Sequence, residues 1–118
     1  MSWYAGNADV DGAQDGGWFF GSFMAGRAPA RTSEHLEVKW AQLDPGSRDE
    51  EWTAPEAETS LCVLVAGSQR LRFREGDVLL STPGDYVVWF PGEQHTWESS
   101  PTEVTTTITV RWPSRAGG

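Results

Sequence analysis

The distribution of hydrophobic and polar residues predicts a chain built almost entirely of β-strands. Residues 34–43 alternate with a period of two and place Leu36, Val38 and Trp40 on one face. Residues 69–74 alternate apolar residues with arginines in the same way. Residues 59–66 are apolar on both faces, which is typical of a strand that is covered on both sides. No segment shows the periodicity of a helix of three turns.

Shorter apolar segments complete the predicted set of strands, and turn dipeptides separate them. Pro-Gly at 45–46, 83–84 and 91–92 and Glu-Gly at 75–76 supply the fixed or positive φ that a chain reversal needs. About nine short strands at this spacing predict an antiparallel barrel or sandwich, so the expected fold class is all-β. The remaining predicted strands are 18–24, 50–54, 77–81, 85–90, 96–99 and 103–112.

The two ends of the chain depart from this strand pattern. Residues 1–17 are rich in glycine, aspartate and alanine, and their aspartates have no basic neighbour. We therefore predict a flexible or loosely docked N-terminal arm there. Residues 113–118 are predicted to form a C-terminal tail, which leaves residues 18–112 as the β-barrel domain.

Composition and charge exclude several classes of partner. The 118 residues suffice for one core, and 17 acidic against 9 basic residues give a net charge of −8. This charge disfavours binding to nucleic acid and to anionic membranes. Neither a membrane span nor a secretory signal is predicted. Because Cys62 is the single cysteine and cannot form an internal disulfide, we expect a cytoplasmic location.

Residues 84–95, with the sequence GDYVVWFPGEQH, resemble the second signature of the cupin superfamily. Gly84, Gly92 and His95 keep the signature's spacing, and Pro91 lies one place later than the signature's proline. The first signature is present only as a frame, given by the turn at 45–46 and the apolar run that ends at Gly67. The resemblance covers residues 34–112 and implies an antiparallel jelly-roll barrel, often dimeric, with a ligand cavity inside it.

The same resemblance places the family's usual metal ligands at positions that hold other residues here. The His-x-His slot falls at Trp52-Thr53-Ala54 and the glutamate slot near Ser60, so that only His95 remains. A catalytic metal site needs about three protein ligands. We therefore expect no metal and no other cofactor. The alternative is a metal held by His95 together with Cys62, Glu37 or Glu58.

His95 is the candidate catalytic residue, because an imidazole in an aromatic pocket can transfer protons. Trp97 lies two residues further along and shares its strand face. Trp52 and Ala54, in the metal-ligand slots, are expected to form an aromatic wall with a gap beside it, which would bind a flat or hydrophobic small molecule. The alternatives are a structural His95 that binds a backbone carbonyl and a barrel that Trp52 simply fills.

Two strands supply further candidate binding residues. Ser60 and Cys62 share the face that the cupin resemblance places inside the barrel, and for Cys62 an inert buried thiol is the alternative to a nucleophile. Glu37 and Lys39 lie opposite the apolar row of residues 34–43. They form either a solvent-exposed face with a weak ion pair or a border of the cavity that binds a polar ligand.

Two arginine patterns and one aromatic segment leave alternatives open. The stripe Arg70, Arg72 and Arg74 either recognises a carboxylate or phosphate or faces solvent. Arg111 shares a polar strand face with alternate threonines, and that face is either exposed or part of the cavity wall. The segment 17–24 is apolar on both faces, which predicts that a second copy covers it in a homodimer; packing on its own barrel is the alternative.

Three classes of function remain open from the sequence. The first is a metal-independent enzyme that isomerises, cyclises or epimerises a small organic molecule with His95 as its acid–base group. The second is a non-catalytic binding or sensing protein with the same pocket. The third is a metal-dependent cupin whose ligands come from atypical positions.

Overall fold

Two antiparallel sheets form the body of the molecule. The computed structural model describes residues 2–115. The strands are β1 (Trp18–Phe20), β2 (Glu37–Leu43), β3 (Arg48–Asp49), β4 (Thr59–Ala66), β5 (Gln69–Phe73), β6 (Gly76–Leu80), β7 (Tyr86–Trp89), β8 (His95–Ser99) and β9 (Thr105–Trp112). The five-stranded sheet has the order β1-β2-β9-β4-β7, and the four-stranded sheet has the order β3-β8-β5-β6. The prediction of an all-β antiparallel jelly roll is confirmed.

Helical structure is limited to short pieces near the N-terminus. A single α-helical turn, α1, spans Ala8–Asp11, and 3₁₀ turns span Ala13–Asp15, Ser22–Met24 and Pro29–Arg31. Within residues 2–115, no helix is long and apolar enough to cross a membrane.

Of the predicted strands, one is shorter than expected and one is absent. The strand predicted at 18–24 ends at Phe20, because the Gly21 amide donates to the Arg31 carbonyl (3.0 Å) and a 3₁₀ turn follows. The strand predicted at 50–54 is absent. In that segment the Thr53 amide donates to the His95 carbonyl at 3.1 Å, and the short β3 pairs with β8 just before it.

Both chain ends contact the sheets within the described residues. The Trp40 amide donates to the Gly17 carbonyl at 2.9 Å, which joins the segment before β1 to β2. The Ser114 amide donates to the Glu34 carbonyl at 3.1 Å, and the Ser22 amide donates to the Ser114 hydroxyl at 2.9 Å. Residues 116–118 of the predicted tail lie outside the described residues.

The space between the sheets is apolar at one end and polar at the other. Inward-facing side chains along β4 change from Ser60 through Cys62 to Leu64. Leu64 belongs to the apolar core, which the inward residues of β5, β6 and β7 complete. The opposite end, where Ser60 is in register with Arg111, is polar. The core residues are Cys62, Leu64, Leu71, Leu80 and Trp89.

The inward face of β2 is the charged face. Glu37 is fully buried, and it is in register with the buried Arg111 of β9. The apolar residues Val38 and Trp40 lie on the other, outward face. Of the two alternatives for this face, the solvent-exposed one therefore does not hold: an ion-paired partner on β9 compensates the buried carboxylate of Glu37, and Lys39 is partly buried.

The aromatic segment at 17–24 packs largely on its own chain. Met24 is fully buried, and Trp18, Phe19, Phe20 and Phe23 are all partly buried. The two-sided apolar pattern is thus explained in part without a second copy.

Gly67, which follows β4, provides a test of this close packing. Its φ is +81°, and a Cβ there would lie 2.6 Å from the Val104 carbonyl oxygen. Gly46 has a similar φ of +74° but open space around it. Both substitutions by alanine strain the backbone, whereas only Gly67→Ala also creates a collision. We expect Gly67→Ala to cost at least about 1 kcal/mol more than Gly46→Ala in urea unfolding; equal losses would show that the collision relaxes freely.

Candidate functional site

A cavity of about 140 Å³ lies between the two sheets at the polar end of the interior. It adjoins a wider cleft of about 610 Å³, and the two share Trp18, Lys39, Glu56, His95 and Arg111. A dry cavity of about this size is known to hold a benzene-sized molecule. The other lining residues of the inner cavity are Ala41, Leu43, Ser60, Cys62, Gln69, Leu71, Trp89, Trp97, Thr107 and Thr109.

His95 lies where β8 begins, and two groups hold its ring. Its Nδ1 is 3.4 Å from Glu56 Oε1 and 3.5 Å from the Thr53 hydroxyl. The ring packs against Trp89, with the ring centroids 4.8 Å apart. Within the described part of the chain, no hydrogen bond involves Nε2, so this nitrogen remains available to a bound molecule.

Glu56 is the carboxylate that contacts the His95 ring, at Nδ1. The Gly92 amide donates to the Glu56 carbonyl at 2.8 Å, which fixes this loop beside the turn before β8. The adjacent His95 imidazole, followed by the Arg115 and Arg111 guanidinium groups, lowers the pKa of Glu56 to about 2, although its partial burial acts in the opposite direction. Glu56 is therefore ionised at neutral pH.

A network of glutamates and arginines surrounds this pair. Arg111 contacts Glu37 at 2.8 Å and Glu56 at 3.4 Å. Arg115 contacts Glu56 at 2.8 Å, binds Glu58, and donates its backbone N–H to Glu37. The network thus joins β2, β9, the loop before β4 and the C-terminal segment. It fixes the carboxylate that faces His95.

Trp18 forms a wall of both the cavity and the cleft. The Arg111 guanidinium lies over its ring at 4.3 Å, and Lys39 Nζ lies 5.7 Å from the ring centroid. An indole face attracts a cation through its quadrupole. Trp18 therefore helps to hold two positive charges at the entrance to the cavity.

Cys62 is buried beside the cavity, with its Sγ 3.7 Å from Gln69 Oε1. Burial raises the pKa of the thiol, which favours its protonated form. A nucleophilic cysteine requires a lowered pKa. The geometry therefore favours the inert buried thiol over the nucleophile.

An inert buried thiol predicts that Cys62 is alkylated slowly in the folded protein. At pH 8, iodoacetamide is expected to alkylate the folded protein at least about tenfold more slowly than the urea-unfolded protein, because the thiolate is both scarce and buried. Mass spectrometry of quenched samples measures the rate. Since Cys62 is the single cysteine, each adduct reports on that residue, and equal rates in the two states would contradict the assignment.

The structure brings most of the sequence-predicted site residues to one place. His95, Trp97, Ser60, Cys62 and Lys39 all line the inner cavity. Glu37 lies behind this wall and contacts Arg111.

Trp52 and Ala54 are the exceptions. The expectation that Trp52 forms a wall of the barrel cavity is wrong: its ring is exposed on the outside of the four-stranded sheet, beneath the Arg74 guanidinium at 4.0 Å. Ala54 lines only the outer cleft. The side chain that contacts His95 is that of Glu56, two residues after Ala54. The irregular loop before β4 turns Trp52 outward instead.

Sequence reasoning missed Glu56, Trp18 and Trp89 as site residues. Glu56 lies in a polar loop whose conformation has no sequence periodicity, and the two tryptophans lie in apolar segments, where packing is the ordinary expectation. For Arg111, Thr107 and Thr109 a signal existed, since their alternation along the last strand already marked one polar face.

The arginine stripe on β5 and the residue after it faces away from the cavity. Arg70 and Arg72 each lie within 4.0 Å of Asp77 and Glu98, and Arg74 covers Trp52. Carboxylates of the chain itself thus pair with Arg70 and Arg72, which favours the interpretation that the stripe faces solvent.

The residues near His95 do not fit a metal ion. Among residues 2–115, no group of three or more His, Cys, Asp or Glu side chains is arranged to hold one. The nearest carboxylate, Glu56, is already bound by arginines, and Lys39 and Arg111 place positive charge beside it. A cation would meet one imidazole, an engaged carboxylate and two like charges.

Comparisons with known proteins show the fold. The chain is similar to a cupin protein from Bacteroides fragilis (13% identity, TM-score 0.59), with 71% of this chain and 69% of that chain covered. It is also similar to KdgF from Halomonas sp. (19%, TM-score 0.62, covering 70% and 73%) and to an RmlC-like cupin from Shewanella frigidimarina (18%, TM-score 0.61, covering 70% of each chain). Neither a protein-family model nor a curated protein matches the sequence. The protein therefore has the cupin fold, a jelly roll of two antiparallel sheets.

Proposed function

We propose that the protein binds a small organic molecule in the cavity between its sheets, with His95 as the acid–base group. The observation that carries this proposal is the contact of His95 Nδ1 with Glu56 at the cavity wall. A carboxylate at Nδ1 favours the tautomer that carries the proton there and leaves a lone pair on Nε2. In this proposal Nε2 is the base, and it acts on a molecule bound in the cavity that His95 lines.

The chemistry that suits this arrangement is proton transfer without a metal. His95 removes a proton from a bound molecule through Nε2 and returns one to another position or another face, while ionised Glu56 stabilises the imidazolium formed between the two steps. Isomerisation, cyclisation and epimerisation need no more than this and a shaped cavity. The proposal of metal independence rests on the arginine-bound state of Glu56 and the cations beside it.

A second candidate function is binding or sensing without turnover. The observation that favours it is the double contact between His95 and Thr53: the His95 amide donates to the Thr53 hydroxyl at 3.0 Å, and the Thr53 amide donates to the His95 carbonyl at 3.1 Å. These bonds give residue 95 a structural part in fixing the loop at Thr53, beside the outer cleft, whatever its ring does.

The experiment separates these candidates with the chain's two histidines. Small metabolites are first screened for quenching of tryptophan fluorescence, and each molecule that binds is incubated with the protein in D₂O and followed by NMR. We expect deuterium incorporation or rearrangement with the wild type and with His35→Gln, whose histidine is exposed. With His95→Gln we expect binding but at least about a hundredfold slower turnover. Turnover that survives in His95→Gln would remove the acid–base role, and binding without turnover in the wild type would favour the sensor.

We also propose a homodimer and a cytoplasmic location. Support for the dimer comes from apolar side chains on the outward face of the five-stranded sheet, where Val63 is in register with both Tyr86 and Ile108, and where Val65 and Tyr86 are exposed. Light scattering at micromolar concentration should give twice the chain mass of 13.0 kDa; a mass of one chain would contradict the dimer. The free, buried Cys62 suits a reducing compartment.

A further inference from the structure

We propose that the molecule bound in this cavity is an organic carboxylate whose anionic group pairs with Lys39. This inference rests on the proposed function of the cavity and adds the chemical class of its ligand. It starts from the charged side chains that line the cavity and from their ion-pair partners.

Lys39 projects from β2 into the space between the sheets. It lines both the inner cavity and the outer cleft, and it is in register with Thr109 of β9. Its ammonium group lies beside the Trp18 ring. Burial, reinforced by the charge of Arg111, lowers the pKa of Lys39. The site therefore holds an amine in surroundings that disfavour its charge.

Among residues 2–115, no carboxylate lies within 4.0 Å of Lys39 Nζ. The nearby glutamates are engaged elsewhere: Glu37 by Arg111, Glu58 by Arg115, and Glu56 by both arginines and His95. Lys39 is thus the cation of this region that lacks an anionic partner in the described chain. A partly buried charge without a partner is unfavourable, and an anion brought by a ligand would remove that penalty.

The ammonium group of Lys39 only donates hydrogen bonds, so the ligand group that pairs with it has to be an acceptor. A carboxylate offers two acceptor oxygens and also supplies the negative charge that Lys39 lacks.

Size and charge favour a monoanion of modest volume. One unpaired cation matches one negative charge, and ionised Glu56 on the same wall would repel a second. The cavity of about 140 Å³ leaves room for a small organic group, and Trp18, Trp89 and Trp97 offer aromatic surface to it. A small aromatic or short aliphatic carboxylate meets these conditions.

The test uses Lys39 as its own reporter, because it is the single lysine of the chain. Protein labelled with [¹³C]lysine gives one Hε–Cε cross-peak in NMR, and the probes are benzoate and butyrate with their uncharged analogues benzamide and butyramide. We expect at least one carboxylate to bind the wild type roughly tenfold or more tightly than its amide and to shift the Lys39 cross-peak on binding.

Three variants locate the source of that preference. Lys39→Met, of similar length but uncharged, should bind the carboxylate and its amide about equally, as measured by quenching of tryptophan fluorescence. Lys39→Arg keeps the charge and should keep a preference for the carboxylate. Arg48→Met, which removes a largely exposed cation outside the cavity, should leave the wild-type preference unchanged.

The outcomes distinguish the two proposals. If the amides bind as tightly as the carboxylates, or if the preference survives in Lys39→Met, the inference about Lys39 is overturned while the cavity remains a binding site. If neither carboxylates nor amides bind the wild type, this inference is overturned, whereas the proposed function is overturned only if the screen of metabolites also finds no ligand.

Discussion

Replacing Arg111 with leucine is expected to lower the free energy of unfolding by about 3–5 kcal/mol. Arg111 is buried and contacts Glu37, whose side chain is fully buried, at 2.8 Å. Among the described residues, leucine would leave the Glu37 carboxylate in the interior with only the Arg115 backbone N–H as its partner. The variant also loses the guanidinium that lies over Trp18. Urea unfolding followed by tryptophan fluorescence measures the loss.

Two further variants show whether the loss comes from an unpaired buried charge. Arg70→Leu removes an ion-paired arginine that lies on the outer face, and it should change stability by no more than about 1 kcal/mol. The double variant Glu37→Leu/Arg111→Leu should recover part of the stability, since apolar residues often replace a buried ion pair without net loss. A double variant no more stable than Arg111→Leu would place the loss in packing rather than in charge.

Glu56→Gln is expected to change how stability depends on pH. The folded protein holds the pKa of Glu56 at about 2, against an ordinary value of 4.5, so the folded state binds fewer protons than the unfolded state between these values. A carboxylate with a lowered pKa contributes stability that is complete above the ordinary pKa and is lost as pH falls through the folded pKa. The wild type should therefore exceed Glu56→Gln in stability most at neutral pH, and the difference should shrink below about pH 4.5.

Urea unfolding of both proteins, from neutral pH to about pH 3, measures this difference directly. The other carboxylates titrate in both proteins, and their contributions therefore largely cancel. Glu50→Gln is the matched control, because Glu50 forms an exposed ion pair with Arg48. A difference between wild type and Glu56→Gln that stays constant with pH would show that Glu56 is not held ionised by its neighbours.

The tryptophans illustrate how much of the candidate site can be predicted from sequence patterns. Trp97 was correctly placed with His95, because residues two apart on a strand share a face. The prediction for Trp52 was wrong, because Trp52 lies in an irregular segment to which the period of a strand does not apply. Trp18 and Trp89 looked like ordinary packing residues, and it is the closure of the sheets that brings them to the wall of a cavity.

Glu56 shows that sequence patterns are equally limited in predicting which charged residues belong to the site. The cupin resemblance placed the residues opposite His95 at 52–54, and the structure places Glu56 there instead. A shift of two residues within a loop leaves the strand pattern unchanged, so the sequence offers no internal check. Contacts from Gly92 and from two arginines of the distant C-terminal part of the chain fix the loop, and these contacts exist only in the folded state.

By itself, the sequence determined the fold class, most of the strand boundaries, the resemblance to the cupins and the place of His95 on its strand. These properties follow from local rules: the period of two, turn residues, and the spacing of a short signature. Only the tertiary structure decided which face of β2 is interior. Alternation identifies two faces but not their environment, so the pattern left both alternatives for the charged row open. The pairing of Glu37 with Arg111 across the sheet made burial of the charged row possible, and this carries Lys39 into the cavity.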